Sequence, residues 1–191
     1  MFISLTGTPG TGKTSVAGLL KAKGFTVIDI QRLAIDENIT EGMDSERDSV
    51  ILDPARLDQL VLERFDKKNN IIFEGHLSHL LSCMDKVIIL RCRPDELRTR
   101  LATKGWRKEK VSENLEAEII DVILCEAVDE HGKDHVFEID TTGKSVTIIS
   151  EAISDLISDG FSNNEYYKVG SIDWSEFLSD EFLGGEKKNG P

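Results

Sequence analysis

At 191 residues, with 23 Lys and Arg against 35 Asp and Glu, the chain has the length of one α/β domain and a formal net charge of −12. That acidity opposes general affinity for nucleic-acid phosphates, sequence-specific DNA binding included, and favours a basic partner. No apolar stretch reaches membrane-spanning length, and Cys83, Cys92 and Cys125, odd in number and in no Cys-x-x-Cys pair, support neither a disulfide framework nor a zinc site. They read instead as small core residues of a reducing, cytoplasmic protein.

The opening Phe2-Ile3-Ser4-Leu5-Thr6 is a short apolar run suited to a buried strand, entered without a charged leader. It leads into Gly7-Thr8-Pro9-Gly10-Thr11-Gly12-Lys13-Thr14, the pattern in which two glycines with four residues between them precede Lys and Thr. Phosphate oxygens need several donors converging on one point, and glycines let backbone N–H groups turn inward with no side chain in the way. Lys13 adds a mobile positive charge near the β and γ phosphates, the Thr14 hydroxyl suits Mg²⁺, and the positive end of the following helix points at the anion. That helix is predicted over residues 14 to 23, with Val16, Leu19 and Leu20 inward. Strand, loop and helix come in the order a phosphate cradle requires, so a nucleoside triphosphate with Mg²⁺ is the expected ligand.

Gly24 ends this helix and Phe25 to Ile28 form a second strand closing on Asp29. Residues 30 to 53 read as polar and irregular, apart from a short helical pattern at Leu33 to Ile35. Asp53 caps a helix with Pro54 in its first turn and Leu57, Leu60, Val61 and Phe65 on its inner face. Ile71 to Phe73 and Lys86 to Leu90 are the third and fourth strands. Pro94 opens a helix ending near Lys104-Gly105, and residues 103 to 113 carry a cationic cluster of Lys104, Arg107, Lys108 and Lys110. From Ser112 one long helix is expected with Ile119, Ile120, Ile123 and Ala127 inward. Val136 to Ile139 make a fifth strand, Asp140 to Gly143 a tight loop, and Ser145 caps a last helix through Ile157.

Strands spaced by helices imply right-handed crossovers and a P-loop NTPase of the doubly wound kind: a five-stranded parallel sheet of the nucleoside monophosphate kinase type, with its ligand at the strand ends. The segments 30–53 and 103–113 then stand as acceptor-binding and lid insertions on a domain spanning 1–160. Phosphoryl transfer needs such parts, because water must be excluded while charge on the transferred group is neutralised. Residues 161–191 form an acidic amphipathic tail. Residues 151 to 191 hold nine acids against three bases, and Trp174, Phe177, Leu178 and Phe182 fall at helical spacing, a stripe that either packs back on the domain or docks on a partner.

Four segments together resemble the adenylate kinase isoenzyme 6 family, also called the coilin-interacting nuclear ATPase family, in a prokaryotic or archaeal form. They are the phosphate loop, Val50-Ile51-Leu52-Asp53, the Glu74-x-His76 pair, and Lys104-Gly105-Trp106-x-x-x-Lys110-x-x-x-Asn114. The resemblance covers residues 1 to about 158. It implies an atypical adenylate kinase that transfers the ATP γ-phosphoryl to AMP, has ATPase activity, and assists small ribosomal subunit maturation and rRNA processing by transient association with the pre-ribosome through a basic small-subunit ribosomal protein.

Carried over residue by residue, the resemblance gives Gly10, Gly12, Lys13, Thr14 and Ser15 ATP-phosphate contacts. Residues 30–53 match the monophosphate-binding region and 103–113 the lid. Lys104 stands where the family pattern commonly has Arg, keeping the charge but losing the planar fork. Glu74 replaces the Asp of the family's Asp-x-His pattern and, with Thr14, serves the Mg²⁺ side. His76 either orients an attacking water or is a structural hydrogen-bonding residue. Lys13, Glu74 and His76 are thus the candidate catalytic residues. Arg32, Arg47 and Arg56 are candidates for the acceptor phosphate. Arg91, Arg98 and Arg100 flank the lid, and the 140–143 loop sits where adenine would lie. Asp53 is either a cap or a ligand. His79, His131 and His135 read as ordinary surface or loop residues.

Two alternatives remain open at this level. One is a nucleotide-switched assembly factor whose kinase turnover is incidental. The other is a different small-molecule kinase on the same fold, such as a dephospho-coenzyme A kinase. No Asn-Lys-x-Asp guanine-reading segment occurs in the chain, which disfavours a GTPase.

Overall fold

A computed structural model describes residues 1–44 and 49–178. Five strands form one parallel sheet: β1 (Phe2–Thr6), β2 (Thr26–Asp29), β5 (Ile71–Glu74), β6 (Lys86–Arg91) and β7 (Val136–Asp140), in the order β2-β5-β1-β6-β7. β3 (Thr40–Asp44) and β4 (Ser49–Leu52) pair antiparallel in a separate hairpin. The central strand β1 is buried along its whole length, as its continuous apolar run requires of a strand covered on both faces.

Helices cover both faces of the sheet. On one face α1 (Lys13–Ala22) and α7 (Val146–Ser158) bring Val16, Leu20, Ile149 and Ile153 onto Ile3 and Leu5 of β1. On the other, Leu57 and Val61 of α3 (Pro54–Arg64) close over Phe2 and Phe73, whose rings meet edge to face at 5.3 Å. Asp53 caps α3 by accepting from the Arg56 amide, and Ser145 caps α7 by accepting from that of Ile148. α4 (Pro94–Ala102) and α5 (Lys108–Ile119) pack on each other through Leu97, Leu101 and Leu115. α6 (Val122–His131) lays Leu124 and Ala127 on Val87, Ile89 and Val136.

Several expectations are corrected. The segment 30–53 is not irregular: α2 (Ile30–Asp36) follows β2 directly, capped by the Asp29 carboxylate on the Arg32 amide, and the β3–β4 hairpin fills most of the rest. The long helix expected from Ser112 begins earlier, at Lys108, and is two helices. Asp121 between them adopts a left-handed conformation, φ 59°, which a short polar side chain tolerates, and the turn it makes leaves Ile120 exposed instead of inward. Cys83 and Cys92 are core residues, but Cys125 is exposed.

The aromatic tail does not form a helix over its described part. Its residues make two short 3₁₀ turns, Glu165–Tyr167 and Ser175–Phe177, with Lys168 bridging antiparallel to Phe137 on the free edge of β7. Trp174 is buried against the domain, Phe177 stands edge-on to it, and Leu178 is exposed. Arg47 and Phe182 lie outside the described residues. No helix among the described residues is long and apolar enough to cross a membrane.

Candidate functional site

β1 ends at the point where the chain's crossovers change side: β5 lies on one flank, β6 on the other. In a doubly wound sheet this is where strand ends part and a crevice opens. A cleft of about 600 Å³ lies there, walled by residues 9–14 of the phosphate loop, Glu74 at the end of β5, His76 just after it, and Lys104 beyond α4.

The loop's shape depends on its glycines. Gly7 has φ 137°, and a Cβ there would lie 2.3 Å from the Leu90 carbonyl oxygen. Gly10 has φ 98° and is pressed against Leu97 and Leu101 of α4, so a side chain at either place would push the loop off the sheet or off α4. Thr11 closes the loop, its hydroxyl donating to the Thr8 carbonyl at 2.9 Å. α1 then starts with Gly12 at its N-cap and no side-chain cap, which leaves the amides of its first turn for an anion.

Lys13 is buried, and its Nζ donates to the Gly7 carbonyl at 2.6 Å and the Thr8 carbonyl at 3.1 Å. Burial holds the ammonium down to about 8, partly offset by the nearby carboxylates of Glu74 and Glu118. Glu74, the last residue of β5, stands in register with Leu5 of β1 and Asp29 of β2. Its Oε1 accepts from the Thr14 hydroxyl at 3.2 Å. Burial raises its carboxyl, with Lys13 acting in the opposite direction. A hydroxyl and a carboxylate side by side at the start of a helix are oxygen donors of the kind a hard divalent cation takes, so the residues fit Mg²⁺.

His76 lines the same cleft two residues on, half-buried, with its imidazole pushed down to about 4 by burial and then by the Lys13 charge. It is therefore neutral near pH 7. Ser15 lines the first turn of α1. Lys104 is exposed, and both it and Lys110 lie over the ring of Trp106, 5.1 and 4.8 Å from its centroid.

Other expected residues fall elsewhere. Arg91 is not at a lid entrance but buried, bonded to Glu118, Asp121 and Glu138. Arg32 is exposed and pairs with Asp36. His79 is not a surface residue: fully buried, it pairs its Nδ1 with the Thr6 hydroxyl and its Nε2 with Glu126, while His131 bonds the His79 carbonyl. Arg100 alone of its group reaches the cleft, tying together the Thr11 carbonyl, Glu96 and Thr141. Asp29, Gln31 and Lys144 also line the cleft and were not singled out from sequence. Their one available signal was position, because the end of a parallel strand or the start of the helix after it faces the crevice.

The chain is similar to several known proteins. A family described as an AAA domain matches residues 3–121. A protein of Pyrococcus abyssi named "Putative adenylate kinase" is 39% identical over 97% of this chain and all of its own. One of the same name from Methanosarcina barkeri is 44% identical over 93% of this chain and all of its own. The chain belongs to this adenylate kinase-like family. Among solved structures, shikimate kinase from Acinetobacter baumannii superposes with a TM-score of 0.58 at 15% identity, covering 85% of this chain and 95% of that one. TT1252 from Thermus thermophilus does so with a TM-score of 0.53 at 19% identity, covering 83% and 97%. These likenesses concern the fold alone, a parallel sheet flanked by helices.

Proposed function

We propose that the protein is an adenylate kinase: it transfers the γ-phosphoryl of ATP to AMP, giving two ADP, and hydrolyses ATP when no acceptor is bound. The observation that carries this is the convergence in one cleft of the uncapped α1 N-terminus, the Lys13 ammonium, and the Thr14–Glu74 oxygen pair. The family's kinase name agrees with it. Gly10, Gly12, Lys13, Thr14 and Ser15 hold the ATP phosphates, and Thr14 with Glu74 holds Mg²⁺. When bound, that ion neutralises charge on the transferred group.

In the step itself an oxygen of the acceptor phosphate forms a bond to the γ-phosphorus as the bond from that phosphorus to the β-bridging oxygen breaks. Lys13 moves from its loop carbonyls to the phosphate oxygens as charge shifts toward the leaving side. A monophosphate oxygen is already a competent nucleophile, so no side chain has to take its proton. Neutral His76 can accept a hydrogen bond from water and hold it in line, which gives the ATPase reaction when the acceptor side is empty. Segment 103–113 closes as the lid with Lys104 over the phosphates, segment 30–53 receives the monophosphate, and Arg100 braces the wall between loop and adenine side.

The net charge of −12 supports a further role in the cytoplasm, in which a basic small-subunit ribosomal protein docks during subunit maturation. ADP formation from Mg·ATP, measured with and without AMP, tests the kinase reading. AMP should raise the rate at least about tenfold over the ATPase background. Absence of stimulation removes the kinase claim, and stronger stimulation by another acceptor reassigns the substrate.

A further inference from the structure

Thr8, Arg91, Glu118, Glu138 and Trp174 come from the phosphate loop, β6, α5, β7 and the C-terminal segment, and all are buried. The Arg91 guanidinium donates from Nε to Glu118 at 2.8 Å and from Nη1 to Glu138 at 2.6 Å, and also bonds Asp121. Asp121 reaches solvent, but Glu118 and Glu138 face the one guanidinium from buried positions. Such buried charge persists only where further donors share it.

Those donors come from parts of the chain far apart in sequence. The Thr8 hydroxyl donates to Glu118 Oε2 at 2.5 Å. The Cys92 amide and the Trp174 indole N–H donate to Glu118 Oε1 at 3.1 and 3.2 Å. The Gly170 amide donates to Glu138 at 2.6 Å. Thr8 is also the residue whose carbonyl receives both the Lys13 ammonium and the Thr11 hydroxyl, so the atoms that fix Thr8 fix the base of the phosphate cradle.

We propose that Glu118 is a positioning residue for the phosphate loop, and that the C-terminal segment belongs to the nucleotide site because Trp174 and Thr8 bond the same carboxylate. Glu118 lies near the end of the helix that leads out of the lid segment, so one side chain joins loop, lid helix and tail. Loss of the Trp174 donor leaves Glu118 freer to turn toward Arg91 and away from Thr8, and the cradle loses its fixed base without any change at an atom that touches nucleotide.

This inference rests on the cleft holding Mg·ATP. It is tested by calorimetric titration of Mg·ATP into the full-length chain, its Trp174→Phe, Thr8→Val and Thr8→Ser variants, and the double variant Trp174→Phe/Thr8→Val, with thermal unfolding of each. Trp174→Phe keeps a ring in place and deletes one N–H; Thr8→Val keeps the shape and deletes one O–H. Each should raise the dissociation constant about three- to tenfold, the scale of one ordinary net hydrogen bond, because the lost donor acts on the nucleotide only through Glu118 and the loop. Thr8→Ser should recover most of the loss, and the double variant should fall short of the product of the two singles because both act through Glu118.

Thermal unfolding shows which variants are folded; where Thr8→Val is not, the affinity of Trp174→Phe, which alters only the C-terminal segment, decides. A Trp174→Phe protein that melts earlier yet binds Mg·ATP as the parent does overturns the inference and leaves the tail a structural strap. A parent chain that gives no binding heat overturns the nucleotide reading first, and this inference with it.

Discussion

Lys13, at the base of the cleft, is buried, bonded to two carbonyls of its own loop, and set by a backbone that only glycine permits at Gly7 and Gly10. Lys104, at the rim, is exposed and leans with Lys110 on the face of Trp106. The same kind of charge is thus fixed by covalent geometry and burial in one place and by a weak aromatic contact in the other. A rigid base keeps its donors in position before the ligand arrives, whereas a loosely held rim can move over it. Affinity and phosphate alignment should therefore belong to the base, and closure to the rim.

The largest break in this contrast should come from Lys13→Ala. Turnover of ATP with or without AMP should fall about a thousandfold, the scale of removing a charge that acts on the transition state, with far-UV circular dichroism unchanged. Residual activity near that of the parent would mean that the base is not the seat of catalysis. Next, His76→Ala should slow ATP hydrolysis about tenfold to a hundredfold while the Mg·ATP dissociation constant stays the same. An unchanged rate would make His76 a structural residue.

At the rim, Trp106→Leu removes the ring and keeps an apolar side chain against the cluster of Cys92, Leu97, Leu101 and Leu115. Its expected effect is only about threefold on KM for ATP, in keeping with a cation–π contact of about 0.5–1 kcal/mol. A loss as large as that of Lys13→Ala would erase the distinction between base and rim.

The smallest effects are in pH. The Lys13 ammonium titrates at about 8 in the folded chain against 10.5 for an unhindered lysine, so above pH 8 part of it is neutral until phosphates favour its charged form. Binding of ATP there should take up a fraction of a proton, visible as binding heats that depend on the ionisation enthalpy of the buffer. Proton-neutral binding across pH 8 to 9 would contradict a buried Lys13. His76 titrates at about 4 folded against 6.5 unfolded, so the unfolded chain binds more protons between those values and stability falls on acidification through that window. His76→Gln should flatten that part of the Tm profile.

The base was legible in the sequence because its chemistry is local. Spacing from Gly7 to Thr14, an apolar run before it and a periodic helix after it are set by neighbours along the chain. All five sheet strands could be read for the same reason. What escaped has either a weak local signal or partners distant in sequence. The β3–β4 hairpin has no alternating apolar pattern, and pairing of Gly42 with Ile51 and Met43 with Val50 makes it a hairpin. The break at Asp121 is a single left-handed residue inside a helical pattern. Arg91 and His79 look like surface residues until Glu118, Glu138 and Glu126 meet them. Of the stripe, Trp174 packs inward, through an indole bond to a carboxylate 56 residues away and without the helix its spacing suggested, while Leu178 stays exposed. Of the rim, sequence shows a cationic cluster, but the mutual stacking on Trp106 belongs to the folded chain alone.

The most direct trial of the central claim is a calorimetric titration of the pure, folded, full-length chain with Mg·ATP. The phosphate loop, the Lys13 ammonium and the Thr14–Glu74 pair predict saturable heat at a stoichiometry of about one ATP per chain, since these groups converge on one cleft of about 600 Å³. Absence of heat from a chain shown to be folded, at every temperature and Mg²⁺ concentration tried, would contradict the account.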